Sequence, residues 1–502
     1  MSPSRLLPVL ALTGLLAGGL PTAARADDTT PARAADLQAQ LRSWFASLAG
    51  PAADVGPHPV QVTSEADHFL LSITVPDALA KLGMLPPGLT ETVKATPLDA
   101  GRWALDDLVI PNPLVVKLPP APAPAKAAND QPKTPPAKPV PQTFTLKFDS
   151  QQFHGVFDPN FVTTSSFDSK MVGLHVTAPT SETTTANISS HISFEPVADG
   201  RIDVIGVGDT MQSTTNMQIP NSPPVRYTID STHSSGRVRG LSPANLAALI
   251  RSLTTLVPTL PGTKDSLNPD QRTVARAAVF ALRDLFTDSE AKQTMHGLKI
   301  SAAGQNASVD QAVLGTRMGV DDGKLQLLVM ISLEGIDSPQ IPAGVFRDYL
   351  PQKISLKPRI SGVPSDDLIK LMLRAIDSDT SDRADLQEAG IALLGEGPLE
   401  VGIDDLEIDL GRAGITGHGS VDIAGPTDIT GEAEIAMMGL DALIKRANTT
   451  PEIKPIVPAL LFLKGIGKAN GETTVWNITY QDNKVMVNDT DMTAMLPGQN
   501  QK

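Results

Sequence analysis

The residues that come nearest to a chemical site are Asp377–Glu388, DSDTSDRADLQE. Asp377, Asp379, Ser381, Asp385 and Glu388 take loop positions 1, 3, 5, 9 and 12 between two helical patterns, the spacing with which an EF-hand surrounds calcium with oxygen. Two departures weigh against it. Asp382 stands at position 6, where the sharp turn calls for glycine, and Ala384 at position 8 is small for pairing with a second loop. The connectors at equivalent places in the chain, Pro258–Pro269 and Asn448–Thr450, are not acidic. A solvated helix connector is the favoured reading. No metal or other cofactor is expected, and calcium on those five residues is the alternative.

Other residue types offer less. The eight histidines are scattered and none forms an i, i+4 pair. His154, His175 and His191 fall on consecutive strand patterns and could converge, but polar positions on a half-solvated sheet explain them more simply. Gly411–Gly419, GRAGITGHG, lies between two strand patterns rather than at a strand-to-helix turn, so its glycines serve tight turns or close strand approach, not a dinucleotide. The acidic run Asp404–Asp409 alternates with Leu406 and Ile408, which predicts carboxylates facing water and apolar side chains facing a core. There is no G-x-S-x-G, Walker or H-E-x-x-H motif, and no cysteine for thiol chemistry. A non-enzymatic protein is expected, with no catalytic residue to name.

The elements that would position such residues recur. In Val238–Val257 a strand pattern ends at Gly240, Ser242 can cap a helix, Pro243 suits its first position, and Leu246, Leu249, Ile250 and Leu253 form a stripe. Ile360–Ile376 repeats this, with Ser365 as cap and Leu368, Leu371, Met372 and Ile376 as stripe. Met438–Ala447 is a third, weaker copy. Each is followed by a second helical pattern and antiparallel strand patterns, which gives helix pairs near 243–286, 365–394 and 438–466. A unit of this kind cannot cover its own apolar face, so repeated units should stack or share a sheet. The fold class expected is α+β: a β-rich, extended, curved antiparallel sheet with repeated helix-pair units packed against it.

Arg5, the apolar run Leu6–Leu20 and Ala24-Arg25-Ala26 read as a signal peptide over residues 1–26, cleaved after Ala26. Residues 27–502 then form the β-rich repeat domain. Pro119–Pro141 is Pro-, Ala- and Lys-rich and is expected to be disordered. Its flanks, LVVKL and TFTLKF, both alternate, which favours a hairpin with an inserted loop over a linker between domains. No later apolar run is long enough to span a membrane. The formal charge of −14, two units more negative without residues 1–26, argues against nucleic acid or anionic headgroups as general partners.

The exported start, the helix-pair units, Leu399–Gly419 (LEVGIDDLEIDLGRAGITGHG) and the closing hairpin Val475–Asn488 (VWNITYQDNKVMVN) resemble an exported alphaproteobacterial family defined as a domain of unknown function, similar in style to YdgA-like and AsmA-like envelope proteins. The hairpin departs from a common Asn-Gly ending, with Asn488-Asp489 instead. The resemblance implies a periplasmic β-rich protein that can carry an apolar groove, and it brings no catalytic residue. The function expected is binding of a lipid-like or other apolar ligand on the sheet, with an assembly factor for another envelope protein as the alternative.

Overall fold

A computed structural model describes residues 29–49, 60–74, 88–118, 142–158, 164–218, 222–256, 267–341, 344–377, 390, 399–425 and 428–493. The protein is β-rich, 58% strand, and its described strands belong to one long antiparallel sheet. Two compact units divide the chain. The first comprises Met1–Ser231, Gly240–Thr263 and Leu267–Leu285; the second comprises Thr232–Arg239, Lys264–Ser266 and Phe286–Lys502.

The first unit begins with helix α1 (Pro31–Ala49). Strands β1 (Val60–Ser64), β2 (Phe69–Thr74), β3 (Thr90–Pro97) and β4 (Trp103–Val109) follow, each antiparallel to the one before. Alternation puts Phe69, Leu71, Ile73, Val93 and Ala95 on one face, where Leu37 and Leu41 of α1 join them in a core with Trp103, Phe157, Phe167 and Phe194. Phe69 meets Trp103 edge-on at 5.5 Å, and the Arg33 guanidinium lies over the Trp103 ring. α1 also closes the exposed edge of β1: Gln38 accepts the Val62 N–H at 2.9 Å. An edge occupied in this way cannot recruit another strand.

Strands β5 (Leu114–Leu118) and β6 (Gln142–Lys147) flank the Pro/Ala/Lys-rich segment and pair with each other, Leu114 opposite Leu146 and Leu118 opposite Gln142. The segment itself lies outside the described residues, as do residues 1–28. β7 (Ser150–Phe157), β8 (Thr164–Ala178), β9 (Ser181–Pro196) and β10 (Ile202–Met217) form a meander. β11 (Val225–Leu241) leads into α2 (Pro243–Leu256) and then α3 (Pro269–Arg283).

In the second unit β12 (Asp288–Ala302), β13 (Gln305–Asp321) and β14 (Lys324–Asp337) are successive hairpin partners. Asp321-Asp322-Gly323 reads as a turn between two strand patterns, and it joins β13 to β14 with both Asp322 and Gly323 at positive φ. After the short helix α4 (Val345–Asp348) come β15 (Lys353–Pro364), α5 (Ser365–Asp377), β16 (Leu399–Asp409), β17 (Gly414–Ile423) and β18 (Ile429–Met438). Helices α6 (Leu440–Thr449) and α7 (Val457–Ile466) precede β19 (Lys468–Asn470), β20 (Thr473–Gln481), β21 (Lys484–Val487) and β22 (Thr490–Asp491). Pro358 discourages a strand reading of β15 because it breaks a ladder, and the register between β15 and β16 does shift between Leu356 and Pro358.

The repeated helix-pair units are not shown. α2–α3 and α6–α7 are helix pairs, but the partner of α5 falls outside the described residues. The equivalences also weaken in detail. The Ser242 hydroxyl accepts the Asn245 N–H at 3.2 Å and caps α2, whereas the Ser365 hydroxyl donates to the Gly323 carbonyl at 2.9 Å. Leu249 and Leu371, placed by the stripe on core-facing positions, are both only half-buried. The cap legible in structure but not in the sequence reading is Asn268, which forms a reciprocal capping box with Gln271.

Candidate functional site

Of the calcium-spaced residues, Asp377 ends α5, while Asp379, Ser381, Asp385 and Glu388 lie outside the described residues. Among the described residues no three His, Asp or Glu side chains are grouped to hold a metal.

Two of the three histidines singled out do share a site. Asp106, His154, Asp168 and His191 stand directly opposite one another on β4, β7, β8 and β9, so one row across four strands alternates carboxylate and imidazole. His154 Nδ1 bonds Asp106 Oδ1, and His191 Nδ1 bonds Asp168 Oδ1 at 2.8 Å. A carboxylate at Nδ1 fixes the proton there and leaves Nε2 as the reacting nitrogen of a neutral imidazole. His154 Nε2 is buried without a partner. A cavity of about 440 Å³ lies on these strands, lined also by Lys170, Gln152 and Asp209. Two of the lining hydroxyls, those of Ser169 and Ser190, bond each other at 2.7 Å. His175 is not part of the row; it pairs with Glu182 at 2.7 Å.

The second candidate is one face of β13–β18. Register places Leu314, Ile331, Leu356, Leu406, Gly417, Ile435 and Trp476 in one row across seven strands. A parallel row runs Met318, Leu327, Ile360, Val401, Val421, and a third runs Ala312, Leu333, Ile354, Ile408, Ile415, Met437. Seven residues of this face, Leu314, Val320, Ile331, Ile360, Val401, Ile403 and Val421, are each about two-fifths exposed, from 39% to 45%. Monomeric proteins rarely leave contiguous apolar surface of more than a few hundred Å². At the β18–β20 end the same face is covered: Met437, Trp476, Ile415 and Ile435 pack with Leu440 and Ile444 of α6 and Leu460 and Ile466 of α7. No side chain of α5 is buried.

Opposite this face β15 and β16 carry charges that pair with each other. Lys353 meets Glu407, Lys357 meets Asp405, and Arg359 engages Glu400 through both terminal nitrogens, at 2.8 and 2.7 Å, and Asp404 through Nε at 2.8 Å. The Arg359 fork holds the Glu400 carboxyl below its usual value, and its bonds to Glu400 and Asp404 raise its own. The Asp404–Asp409 alternation is therefore real, but Asp404, Asp405 and Glu407 are bonded across the strand pair, Asp409 accepts the Gly411 N–H at 2.7 Å, and Leu406 and Ile408 point to the open face instead of a closed core. The glycines of the Gly411–Gly419 run behave as read. Gly411 is in the left-handed region at the β16–β17 turn, and a Cβ on Gly419 would sit 2.5 Å from Ala433 Cβ.

The sequence reading missed both the carboxylate partners of the histidines and the openness of the apolar face. The first had no signal, because Asp106 and Asp168 reach the histidines only through strand pairing. The second was half visible: the apolar positions of β14 and β16 are evident, but not what covers them. No protein-family model, curated protein or solved structure matches the chain.

Proposed function

We propose that this protein is a non-enzymatic, exported cell-envelope component that holds a lipid-like ligand on the open face of β13–β18. The observation that supports this reading is the uncovered set of Leu, Ile and Val in the second unit. Those positions present methyl groups and no hydrogen-bonding side chain, which suits flexible aliphatic chains rather than sugars or nucleotides. The open stretch from Leu314 to Gly417 crosses four strand spacings, about 19 Å. One leaflet of a bilayer is about 15 Å of hydrocarbon, so the face accommodates a long acyl chain laid across the strands. The paired charges opposite keep that side wet and fix the register. The helix pairs α2–α3 and α6–α7, each following a run of strands, are read as copies of one building unit, with α5 as part of a third.

The test is recovery of lipid. Protein purified from native envelopes is extracted with organic solvent, and the extract is examined by mass spectrometry. Acyl lipid is expected with the unaltered chain and several-fold less with Ile331→Glu, which sets a charge in the middle of the face. A lipid-free preparation in which Ile331→Glu instead abolishes co-purification of one envelope protein would establish the assembly-factor alternative.

A further inference from the structure

Helix α7 has an apolar side where a helix at the protein surface should be polar. Its inner side is anchored: Val457 is buried, Leu460 and Ile466 join the core around Trp476, and the Trp476 indole N–H donates to the Leu463 carbonyl at 2.9 Å. The rest faces out. Leu461 is 52% exposed, Phe462 42%, Leu463 40%, and Ile456, just before the helix, 45%. From Ile453 to Gly467 the chain contains two lysines, Lys454 and Lys464, and no acid, in a protein of formal charge −14. Glu452 lies just before this stretch and is exposed; Asp441, Asp348 and Asp489 are engaged with Lys464, Arg446 and Lys468.

We propose that α7 docks the protein on an anionic membrane surface, with Ile456, Leu461, Phe462 and Leu463 entering the boundary between headgroups and chains and Lys454 at headgroup level. A helix of ten residues is about 15 Å long against about 30 Å of hydrocarbon, so it lies in the interface and does not cross. Among the described residues no helix is long and apolar enough to cross. A protein partner is disfavoured by composition. Protein interfaces have a polar rim and a hydrogen bond for every 100–200 Å² or so, while this surface offers aliphatic and phenyl groups with lysines at its ends, the make-up of an interfacial helix. The negative charge that disfavours anionic headgroups for the chain as a whole is absent from residues 453–467, which lowers the repulsion met there. The inference stands without the ligand reading above, although α7 covers one end of the open face and would bring that end to the bilayer.

Flotation of the full chain with vesicles of phosphatidylcholine and phosphatidylglycerol (3:1) tests it. The unaltered chain is expected to float with these and several-fold less with phosphatidylcholine alone. The double variant Leu461→Glu/Phe462→Glu alters exposed positions, should keep the thermal unfolding midpoint, and is expected to lose flotation at least tenfold. Phe462→Trp should show a blue-shifted emission on vesicle addition. Ile331→Glu, on the sheet face, should float normally. Flotation that survives the double variant, or that is lost with Ile331→Glu, overturns the proposal for α7. So does a change in oligomeric state by light scattering without any vesicle binding, which would make the surface a contact between copies.

Discussion

The face of β1–β4 beneath α1 and the face of β13–β18 are built from the same alternation and end in opposite conditions. Under α1, Phe69, Val60 and Leu37 have no exposed surface, and an aromatic pair fills the centre. On β13–β18 the equivalent rows are Leu, Ile and Val left about two-fifths exposed. A period of two decides which side chains share a face. Whether that face is dry depends on a covering layer: α1 supplies it with Leu37 and Leu41, whereas every residue of α5 is half-buried or exposed.

The sharpest way to break this comparison is to cut one side chain from each face. Phe69→Ala removes a fully buried ring and leaves a cavity, for an expected loss of about 3–5 kcal/mol. Ile331→Ala removes methyl groups already in partial contact with water and should cost under about 1 kcal/mol. Denaturant unfolding followed by fluorescence reports on both, since Trp103 lies in the first unit and Trp476 in the second. Equal losses would mean that the β13–β18 face is covered in solution.

Acids sharpen the same contrast. On the open unit Glu400, Asp404, Asp405 and Glu407 are paired, but Glu91 lies in the covered row Val60–Ile73–Glu91, buried, with Oε1 lacking a partner. Burial pushes its carboxyl up from 4.5 to about 7. Below pH 4.5 the group is neutral folded or unfolded and costs nothing. From there to pH 7 the unfolded chain releases the proton that the fold retains, and stability falls by about 1.4 kcal/mol per pH unit, about 3 kcal/mol in all. Glu91→Gln keeps the shape without the charge. It should stabilise by about 3 kcal/mol at pH 8 and have no effect at pH 4, as seen in denaturant midpoints across that range.

Much of this was legible. Strand alternation, the Asp322-Gly323 turn and the β5–β6 pairing follow from residue types alone, because the conformations they need are local. The Asp–His row was not, since its members are separated by 48 residues in one pair and 23 in the other and meet only through register. Glu91 was not either: in TETVKATP its burial follows from which side α1 covers, a tertiary fact. The open face inverts the usual inference that alternating apolar residues mark a core.

A smaller effect is expected at Arg359, whose fork secures the open unit from its charged side. Arg359→Lys keeps the charge but cannot serve both Glu400 oxygens and Asp404 at once. With the side chains near a third exposed, solvent screening limits the loss to about 1 kcal/mol, shrinking in 1 M salt. Acid should remove it as well. Glu400 is held below its usual value by Arg359, so the contribution is present at neutral pH and is lost as pH falls through the folded value of Glu400. A variant equal in stability to the unaltered protein at low and high salt would show that the apolar rows alone hold the register.

The smallest expected difference compares two helix starts, one in each unit, that look alike in sequence. Ser242 and Ser365 each precede an apolar stripe. At α2 the hydroxyl accepts the Asn245 N–H, which otherwise has no partner at a helix start, so Ser242→Ala should cost about 1 kcal/mol. At α5 the Ser365 hydroxyl is a donor to the Gly323 carbonyl, and the Ser365 backbone N–H reaches that same oxygen at 2.9 Å. Removing the hydroxyl leaves that carbonyl one bond and orphans no helix N–H. Ser365→Ala should therefore cost under about 0.5 kcal/mol, the range of an ordinary exposed substitution. Threonine separates the two further: Ser242→Thr keeps an acceptor and should recover most of the loss, while at Ser365 alanine and threonine should be alike within about 0.5 kcal/mol. Equal losses at both serines in denaturant midpoints would mean that both helices are capped in the same way, and the units would be closer copies than the hydrogen bonds make them.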